Sequence, residues 1–314
     1  MNDRLERLAP LRRIRAGVLD VEYFETGPAA GPTVVLLHGF PYDIHSYVEV
    51  APLLGDAGFR VVVPHLRGHG GTRFVDRTVP RTGQQAALGQ DVVDLLDALG
   101  IDRATLAGYD WGGRAACVAA ALHPERVSAL VLVNGYLVQD IRSSMAPLSP
   151  DLEAGFWYFF YFLTERGRAG LVADPRGIAE VIWRRNSPEW RFGDAELDRA
   201  AEAFANPDFV DVVIHSYRHR LNHVDGAPDY LRHEAALAKL PPITVPTVTL
   251  DGEADGNFPA RDAADVAVHF TGPHVHRRVP HAGHNLPREA PEAFVEAVRK
   301  AASLAGADAT TIAA

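Results

Sequence analysis

Short apolar runs alternate with longer segments of helical spacing along the first half of the chain. Three continuous runs have the length and composition of strands: Thr33–Leu37, Arg60–Pro64 and Val127–Val133. Such runs are typical of strands buried on both faces of a mostly parallel sheet. Between them, residues 47–57 and 84–99 have the apolar spacing of helices, and Gly58 and Gly100 follow as stop signals. An imperfect alternation over residues 17–26 predicts an earlier, antiparallel strand.

The alternation of strands and helices stops at about residue 138. Strands that alternate with helices up to this point predict a doubly wound, mostly parallel α/β sheet. From about residue 138 to 240 the sequence is helix-like, rich in aromatic residues and arginine and broken by prolines. Strand character returns at 242–250, and a final helix is predicted over 291–304. We therefore predict a core in two parts, residues 1–137 and 241–314, with a helical cap at 138–240 inserted between core strands.

Composition and charge narrow the possible functions. The 314 residues, of which 47% are apolar, suffice for one large α/β domain with a buried core. A net charge of −9 argues against nucleic acid or an anionic membrane as partner. Residues 1–15 are too charged for the apolar region of a signal peptide, and no stretch approaches the length of a membrane span. The single cysteine, Cys117, requires no oxidising compartment, and we expect a cytoplasmic protein.

Motifs for cofactors and metals are missing from the sequence. It has no P-loop, no dinucleotide-binding glycine pattern after a first strand and no zinc-ligand spacing. We therefore predict that the protein uses no cofactor and no metal, and that it acts on a small, mainly hydrophobic molecule together with water. The sequence leaves the oligomeric state open, with a homodimer among the alternatives.

Asp110 stands where a strand turns into a helix. The apolar run 104–107 ends in Gly108, and Ala-rich helical sequence follows Gly112 and Gly113. Gly108 and Gly112 stand two residues before and after Asp110, where a Cβ would clash in so tight a turn. This is the layout of a nucleophile elbow. A carboxylate at its centre attacks saturated carbon and forms an alkyl ester, whereas the more usual serine attacks acyl carbon.

Three motifs in order resemble the α/β-hydrolase superfamily. They are Gly-Tyr-Asp-Trp-Gly-Gly at 108–113, His-Gly-Phe-Pro at 38–41 before it and Gly283-His284 after it. With aspartate at the elbow, the chain is most similar to the branch that contains epoxide hydrolases, haloalkane dehalogenases and fluoroacetate dehalogenases. The resemblance covers most of the chain and implies Asp110 as nucleophile and His284 as base.

Further roles follow from the same resemblance. A Gly-x-x-Asp pattern after the returning strand implies Asp255 as the acid that orients the base, with Asp251 and Glu253 as nearby rivals. In the family, two backbone N–H groups stabilise the oxyanion that forms at the nucleophile. The resemblance implies that Phe40 and Trp111 supply them.

Two other histidines near these motifs are assigned structural roles. His38 is expected to hold its loop rather than react, and His281 is expected to be a loop residue. His284 is preferred as base because Gly283 precedes it and Glu289 begins the Glu-x-Pro sequence that follows in the family's histidine motif.

The predicted cap contains two candidate proton donors. Phe-x-Tyr-x-x-Tyr-Phe at 156–162 resembles the epoxide-hydrolase segment whose first tyrosine protonates the epoxide oxygen, which implies Tyr158. Tyr217, which precedes an arginine, resembles the second cap tyrosine of that family. Phenol O–H groups can donate to a developing alkoxide without bearing charge themselves. Four polar residues near Tyr217 are interpreted as an anchor between cap and core rather than as a metal site: His215, Arg218, His219 and Arg220.

The resemblance implies hydrolysis of an epoxide to a vicinal diol through an ester on Asp110. The strongest alternative is a dehalogenase with the same nucleophile, base and acid, in which Trp111 and Trp157 would hold the halide. In a fluoroacetate dehalogenase, Arg114 would bind the substrate carboxylate. Phe40 replaces the polar residue that haloalkane dehalogenases carry after His-Gly, which favours the epoxide reaction. A second alternative is a non-catalytic binding protein on the hydrolase scaffold.

Overall fold

One nine-stranded sheet organises the part of the chain that is described. The computed structural model describes residues 8–312, with side chains described up to residue 306. The strands are β1 Leu11–Ala16, β2 Leu19–Thr26, β3 Thr33–Leu37, β4 Arg60–Pro64, β5 Arg73–Phe74, β6 Ala104–Gly108, β7 Val127–Val133, β8 Thr247–Gly252 and β9 His274–Val279. Their order across the sheet is β1, β2, β4, β3, β6, β7, β8, β9, and β5 pairs with β2.

Most of the sheet is parallel. Strands β4, β3, β6, β7, β8 and β9 run parallel to one another, whereas β1, β2 and β5 form antiparallel pairs. The central strands β6 and β7 are almost wholly buried. The predicted doubly wound, mostly parallel sheet is thus confirmed. Because these strands are parallel, the loops at the carboxyl ends of β3, β6, β8 and β9 meet at one edge, where ligands bind in open α/β sheets.

Helices cover the sheet and fill the interval between β7 and β8. They are α1 Val50–Asp56, α2 Gln85–Ala98, α3 Asp110–Leu122, α4 Pro150–Gly155, α5 Trp157–Leu163, α6 Glu165–Ala173, α7 Pro175–Asn186, α8 Asp194–Glu202, α9 Phe209–Arg220, α10 Leu231–Leu237, α11 Ala263–Ala267, α12 Leu286–Glu289 and α13 Pro291–Ile312. Helix α2 packs against α3, and α1 packs against α13. None of these described helices has both the length and the apolar character needed to cross a membrane.

Residues 138–240 lie between β7 and β8 and hold helices α4 to α10. We refer to these residues below as the cap segment, although the division of the chain into core and cap remains a prediction. Helix α5 packs against α9. It buries Tyr158 and Phe162, whereas the Phe160 side chain is 45% exposed. This packing brings Tyr158 and Tyr217 together.

Several elements differ from the expectations drawn from the pattern. The edge strands β1 and β9 were not predicted, because their arginine- and histidine-rich sequences lack a continuous apolar run. The strand predicted at 242–250 begins only at Thr247, because Pro246 has no N–H to donate to a neighbouring strand. The last helix extends to Ile312, beyond its predicted end at residue 304.

Candidate active site

The elbow at Asp110 is a strained turn between β6 and α3. Asp110 has φ +50°, a left-handed conformation that costs a residue other than glycine roughly 1–3 kcal/mol. A Cβ on Gly112 would lie 2.0 Å from the Leu37 carbonyl oxygen, and one on Gly108 would lie 2.7 Å from the Gly112 carbonyl carbon. The two glycines therefore allow the backbone of the elbow to pack closely against β3, in agreement with the tight turn that their spacing predicts.

The Asp110 carboxylate lies between a backbone donor and an imidazole. The Phe40 N–H donates to Oδ1 at 2.7 Å, and Oδ2 lies 3.5 Å from His284 Nε2. Burial alone would raise the pKa of Asp110, but its hydrogen bond to His284 and the charge on that ring outweigh burial and lower the pKa. Asp110 is therefore ionised at neutral pH, which is the state that its predicted role as nucleophile requires.

His284 bridges the two carboxylates. Its Nδ1 donates to Asp255 Oδ2 at 2.9 Å, which leaves Nε2 facing Asp110. Burial alone would lower the pKa of His284, but the charge on Asp255 and the hydrogen bond to Asp110 outweigh burial and raise the pKa to about 10. In the free protein at neutral pH this ring is accordingly an imidazolium held between two anions.

The loop after β8 fixes Asp255 against His284. Its Oδ1 accepts the N–H groups of Asn257 and Phe258, both at 2.9 Å. The Asn134 amide, at the end of β7, donates to Oδ2 at 3.2 Å. These bonds satisfy a carboxylate that has little contact with water, and they hold Oδ2 in line with the imidazole.

The alternative candidates for the acid and the base lie away from the contact between Asp255 and His284. Asp251 pairs with Arg261, with 3.1 Å between Oδ2 and Nε, and Glu253 pairs with Arg278 at 3.0 Å. His281 is exposed and contacts Glu189. Of the three acidic residues considered from the sequence, the structure brings Asp255 to His284.

The loop after β3 positions the backbone N–H of Phe40, which is predicted to be one of the two oxyanion donors. His38 Nε2 accepts the Leu66 N–H at 3.1 Å, so that Nδ1 carries the proton and donates to the Gly39 carbonyl at 2.9 Å. His38 therefore ties two loops together and leaves the Phe40 N–H directed at Asp110. Trp111 lies in the first turn of α3, where backbone N–H groups have no partner within the helix.

Tyr158 and Tyr217 meet above the elbow, with 5.5 Å between ring centroids. Both rings are buried, and within the described residues the Tyr217 hydroxyl has no hydrogen-bond partner. Burial, followed by the influence of Asp110, raises the pKa of Tyr158 well above its ordinary value, and burial also raises that of Tyr217. Both phenols therefore keep their protons at neutral pH. A buried hydroxyl without a hydrogen-bond partner, such as that of Tyr217, lowers the stability of the folded protein by about 1–3 kcal/mol.

A cavity of about 750 Å³ opens onto this group of residues. Asp110, His284 and Tyr158 line it, together with Arg114 on α3. Trp157 is not one of the described residues that line this cavity. Its ring packs against those of Tyr158 and Tyr161 instead.

Comparisons with known proteins agree with this architecture. The sequence profile of the alpha/beta hydrolase fold matches residues 32–291. The chain belongs to the α/β-hydrolase fold family.

Individual relatives of this α/β-hydrolase carry a more specific name. Epoxide hydrolase A of Mycobacterium tuberculosis is 27% identical over 317 residues, which cover 91% of this chain and 93% of that protein. Epoxide hydrolase B of the same organism is 42% identical over 104 residues, or 33% of this chain and 29% of that protein. The crystal structure of a candidate epoxide hydrolase from Klebsiella pneumoniae superposes with a TM-score of 0.93 at 47% identity, covering 95% of this chain and 99% of that one. The protein is an epoxide-hydrolase-like α/β-hydrolase.

Some residues of the hydrolase site were not identified from the sequence. Arg220 was interpreted as part of an anchor between cap and core, yet it lines the cavity. For Asn134, the sequence indicated only a position at the end of a predicted strand and no role in the site. Residues 143–148, which precede α4, form part of the cavity wall. Within the residues that the structure describes, no cluster of three or more His, Cys, Asp or Glu side chains could hold a metal ion.

Proposed function

We propose that this α/β-hydrolase opens epoxides to vicinal diols through a covalent ester on Asp110. The observation that carries the proposal is the continuous series of contacts from Asp255 through His284 to Asp110, with the phenols of Tyr158 and Tyr217 above it. Such a series suits a reaction with a carboxylate nucleophile, a base for water and an acid for a leaving oxygen. The names of the relatives support the same reaction class.

In the first step an oxygen of Asp110 attacks one oxirane carbon, and that carbon's bond to the ring oxygen breaks. The ring oxygen becomes an alkoxide and takes a proton from a phenol, Tyr158 or Tyr217. The product is an alkyl ester of Asp110 with a neighbouring hydroxyl. The high pKa of both phenols keeps the proton available until the alkoxide forms, when its transfer becomes favourable.

Formation of the ester then prepares His284 to act as a base. The negative charge on Asp110 is one of the causes of the raised pKa of His284, and the ester is neutral. The pKa of His284 therefore falls, and the proton that it releases replaces the one donated by the phenol. Neutral His284 can now accept a proton from water.

In the second step the resulting hydroxide attacks the carbonyl carbon of Asp110. The N–H of Phe40, and by resemblance that of Trp111, stabilise the tetrahedral oxyanion. Collapse breaks the ester bond, and the second proton of the former water, which stayed on the attacking hydroxyl, passes to the departing alkoxide as the diol leaves. Asp110 is again a carboxylate, now with one oxygen from water, and His284 is again protonated.

Isotope labelling tests the covalent step. With protein in excess over styrene oxide in H₂¹⁸O, we expect the first diol to be unlabelled, because its new oxygen comes from Asp110. Mass spectrometry of the peptide that contains Asp110 should detect the ¹⁸O. Under multiple turnover the diol should become labelled.

Three results would contradict this proposal. Label in the diol of the first turnover would indicate that water attacks the epoxide directly. No diol and no label in the peptide would favour the non-catalytic alternative, and release of halide from halogenated substrates without any diol would favour the dehalogenase. The buried Trp111 Nε1, which has no hydrogen-bond acceptor within 3.5 Å among the described residues, is an observation in favour of halide binding.

Removal of the phenol hydroxyls should slow formation of the ester. We expect Tyr158→Phe and Tyr217→Phe each to reduce this rate about tenfold to a hundredfold, and the double variant to reduce it by about 10³-fold, since the alkoxide then lacks its acid. Stopped-flow fluorescence under single turnover measures the rate. Tyr161→Phe, on the same helix α5, is the matched control and should leave it unchanged. If the two phenylalanine variants form the ester at the wild-type rate but hydrolyse it more slowly, the phenols are not the acids that protonate the alkoxide.

A further inference from the structure

Two arginines that the reaction does not use face the cavity beside Asp110. Arg114 follows Asp110 by four residues on α3, so that the two side chains lie on the same face of that helix. Arg220 is the last residue of α9 and reaches the cavity from the cap segment. Both side chains are partly buried and line the cavity.

Neither guanidinium has a carboxylate partner within 4.0 Å among the described residues. Among the described residues, the Arg114 side chain has one hydrogen bond, from Nη1 to Gln85 Oε1 at 3.4 Å, and its buried Nε has no acceptor. Elsewhere in the protein, Arg67 pairs with Asp91 at 2.6 Å. Partly buried charged groups without a partner in the protein can bind a charged ligand, and these two arginines face a cavity in which an anion could lie.

Arg220 is held in a way that leaves its donors available. Its guanidinium lies over the Phe159 ring, 5.1 Å from the centroid, and over the Tyr217 ring at 5.4 Å. Stacking of this kind occupies the flat face of the group. The N–H groups in the guanidinium plane remain free to form a bidentate contact with a carboxylate.

The charges around the cavity floor do not balance. Asp110 and Asp255 are negative, whereas Arg114, Arg220 and protonated His284 are positive, which leaves one net positive charge. Burial, followed by repulsion from Arg220, lowers the pKa of Arg114 to about 9, so each cation acts on the other across the cavity that both of them line.

The remaining acidic residue of the cavity wall does not supply the missing charge. Glu153 accepts the Leu148 N–H at 2.8 Å in an exposed hydrogen bond and lies beyond 4.0 Å from both guanidinium groups. A bound monoanion would therefore neutralise the floor.

We propose that Arg114 and Arg220 form a subsite for a carboxylate, so that the substrate is an epoxide carrying a carboxylate close to the oxirane ring. The inference rests on the proposed epoxide hydrolysis. Side chains four residues apart on a helix have Cβ atoms about 6 Å apart, so only a few bonds separate the carboxylate from the carbon that Asp110 attacks. The rest of the substrate is apolar, to match the Phe156, Phe159 and Phe258 rings that line the cavity.

A pair of matched substrates tests the subsite. 3-Phenylglycidate carries a carboxylate on the oxirane where trans-β-methylstyrene oxide carries a methyl group. We expect kcat/KM to favour the glycidate, and Arg114→Gln or Arg220→Gln to reduce this preference about tenfold to a hundredfold, the value of a charged bidentate contact. The charge-conserving Arg114→Lys should retain part of the preference. Arg218→Gln, on α9 but paired with Glu165, is the control and should leave the preference unchanged.

Binding of unreactive ligands separates this inference from the proposed reaction. We expect calorimetry to detect tighter binding of 3-phenylpropanoate than of 3-phenylpropanamide, with the difference lost in Arg114→Gln and Arg220→Gln. If this pattern appears without turnover of either epoxide, the subsite stands and the proposed function fails. If the variants slow both epoxides equally and the two unreactive ligands bind alike, the arginines act only through Asp110 and the subsite is overturned.

Discussion

Asp110→Asn is expected to reduce kcat/KM for epoxides by at least about 10⁴-fold while the protein remains folded. The amide oxygen is too weak a nucleophile to open an oxirane, and no other described carboxylate combines the Phe40 N–H with His284. Diol formation from styrene oxide, followed by chromatography, measures the loss. Glu153→Gln, which changes another carboxylate of the same cavity, is the matched control and should retain most of the activity.

The fold should tolerate this substitution. Asparagine adopts the left-handed conformation of the elbow as readily as aspartate does, so the φ of +50° adds no new strain. His284 then loses one of the two anions that raise its pKa and can become neutral, which avoids a buried unpaired charge. A melting temperature close to that of the wild type, together with lost activity, supports a chemical role for Asp110. Full activity in both Asp110→Asn and Asp110→Ala would contradict the ester.

His284→Gln is expected to stop the reaction at the ester. Attack by Asp110 does not require a base, so one equivalent of epoxide should still be consumed. Hydrolysis of the ester requires deprotonated His284, and its loss should lower steady-state kcat by about 10⁴-fold. Mass spectrometry of the intact protein should therefore show an adduct with the mass of the epoxide, and peptide mapping should locate it at Asp110. The exposed His281→Gln is the control and should accumulate no adduct.

The pH dependence of the wild type distinguishes the two half-reactions. The pKa of His284 is about 10 while Asp110 is ionised, and it is lower in the ester because one anion has been neutralised. Decay of the ester should accordingly become faster as the pH rises and should level off below pH 10. Formation of the ester depends on ionised Asp110, whose pKa is lowered, and should not change across neutral pH. Decay that is independent of pH, or an inactive His284→Gln without adduct, would argue against His284 as the base.

The core of the fold could be predicted because local sequence and burial agree there. Strands β3, β4 and β7 match the predicted runs residue for residue, since a strand covered on both faces is apolar at most of its positions. The edge strands escaped prediction for the opposite reason. Strand β9 contains two histidines and two arginines and is mostly half-buried, so that pairing with β8 defines it more than its own composition does.

The choice between neighbouring candidates could not be made from spacing alone. Trp157 and Tyr158 are consecutive, and consecutive residues on a helix point about 100° apart. Packing of α5 against α9 decides that Tyr158 faces the cavity and that Trp157 packs beside it. Similarly, Asp251 lies near the end of β8 and Asp255 in the loop after it, and only the course of that loop places Asp255 at His284.

The sequence by itself determined the elbow and the apolar strands, because each depends on short-range steric and burial rules, and its motifs singled out Asp110, Asp255 and His284 as candidates. Only the tertiary structure decided which side chains converge on the cavity. Arg114 and Arg220 belong to helices far apart in the chain, and their lack of a carboxylate partner is a property of the space between those helices. Charge balance in a buried site depends on distances among residues from several elements, and no pattern within one segment contains that information.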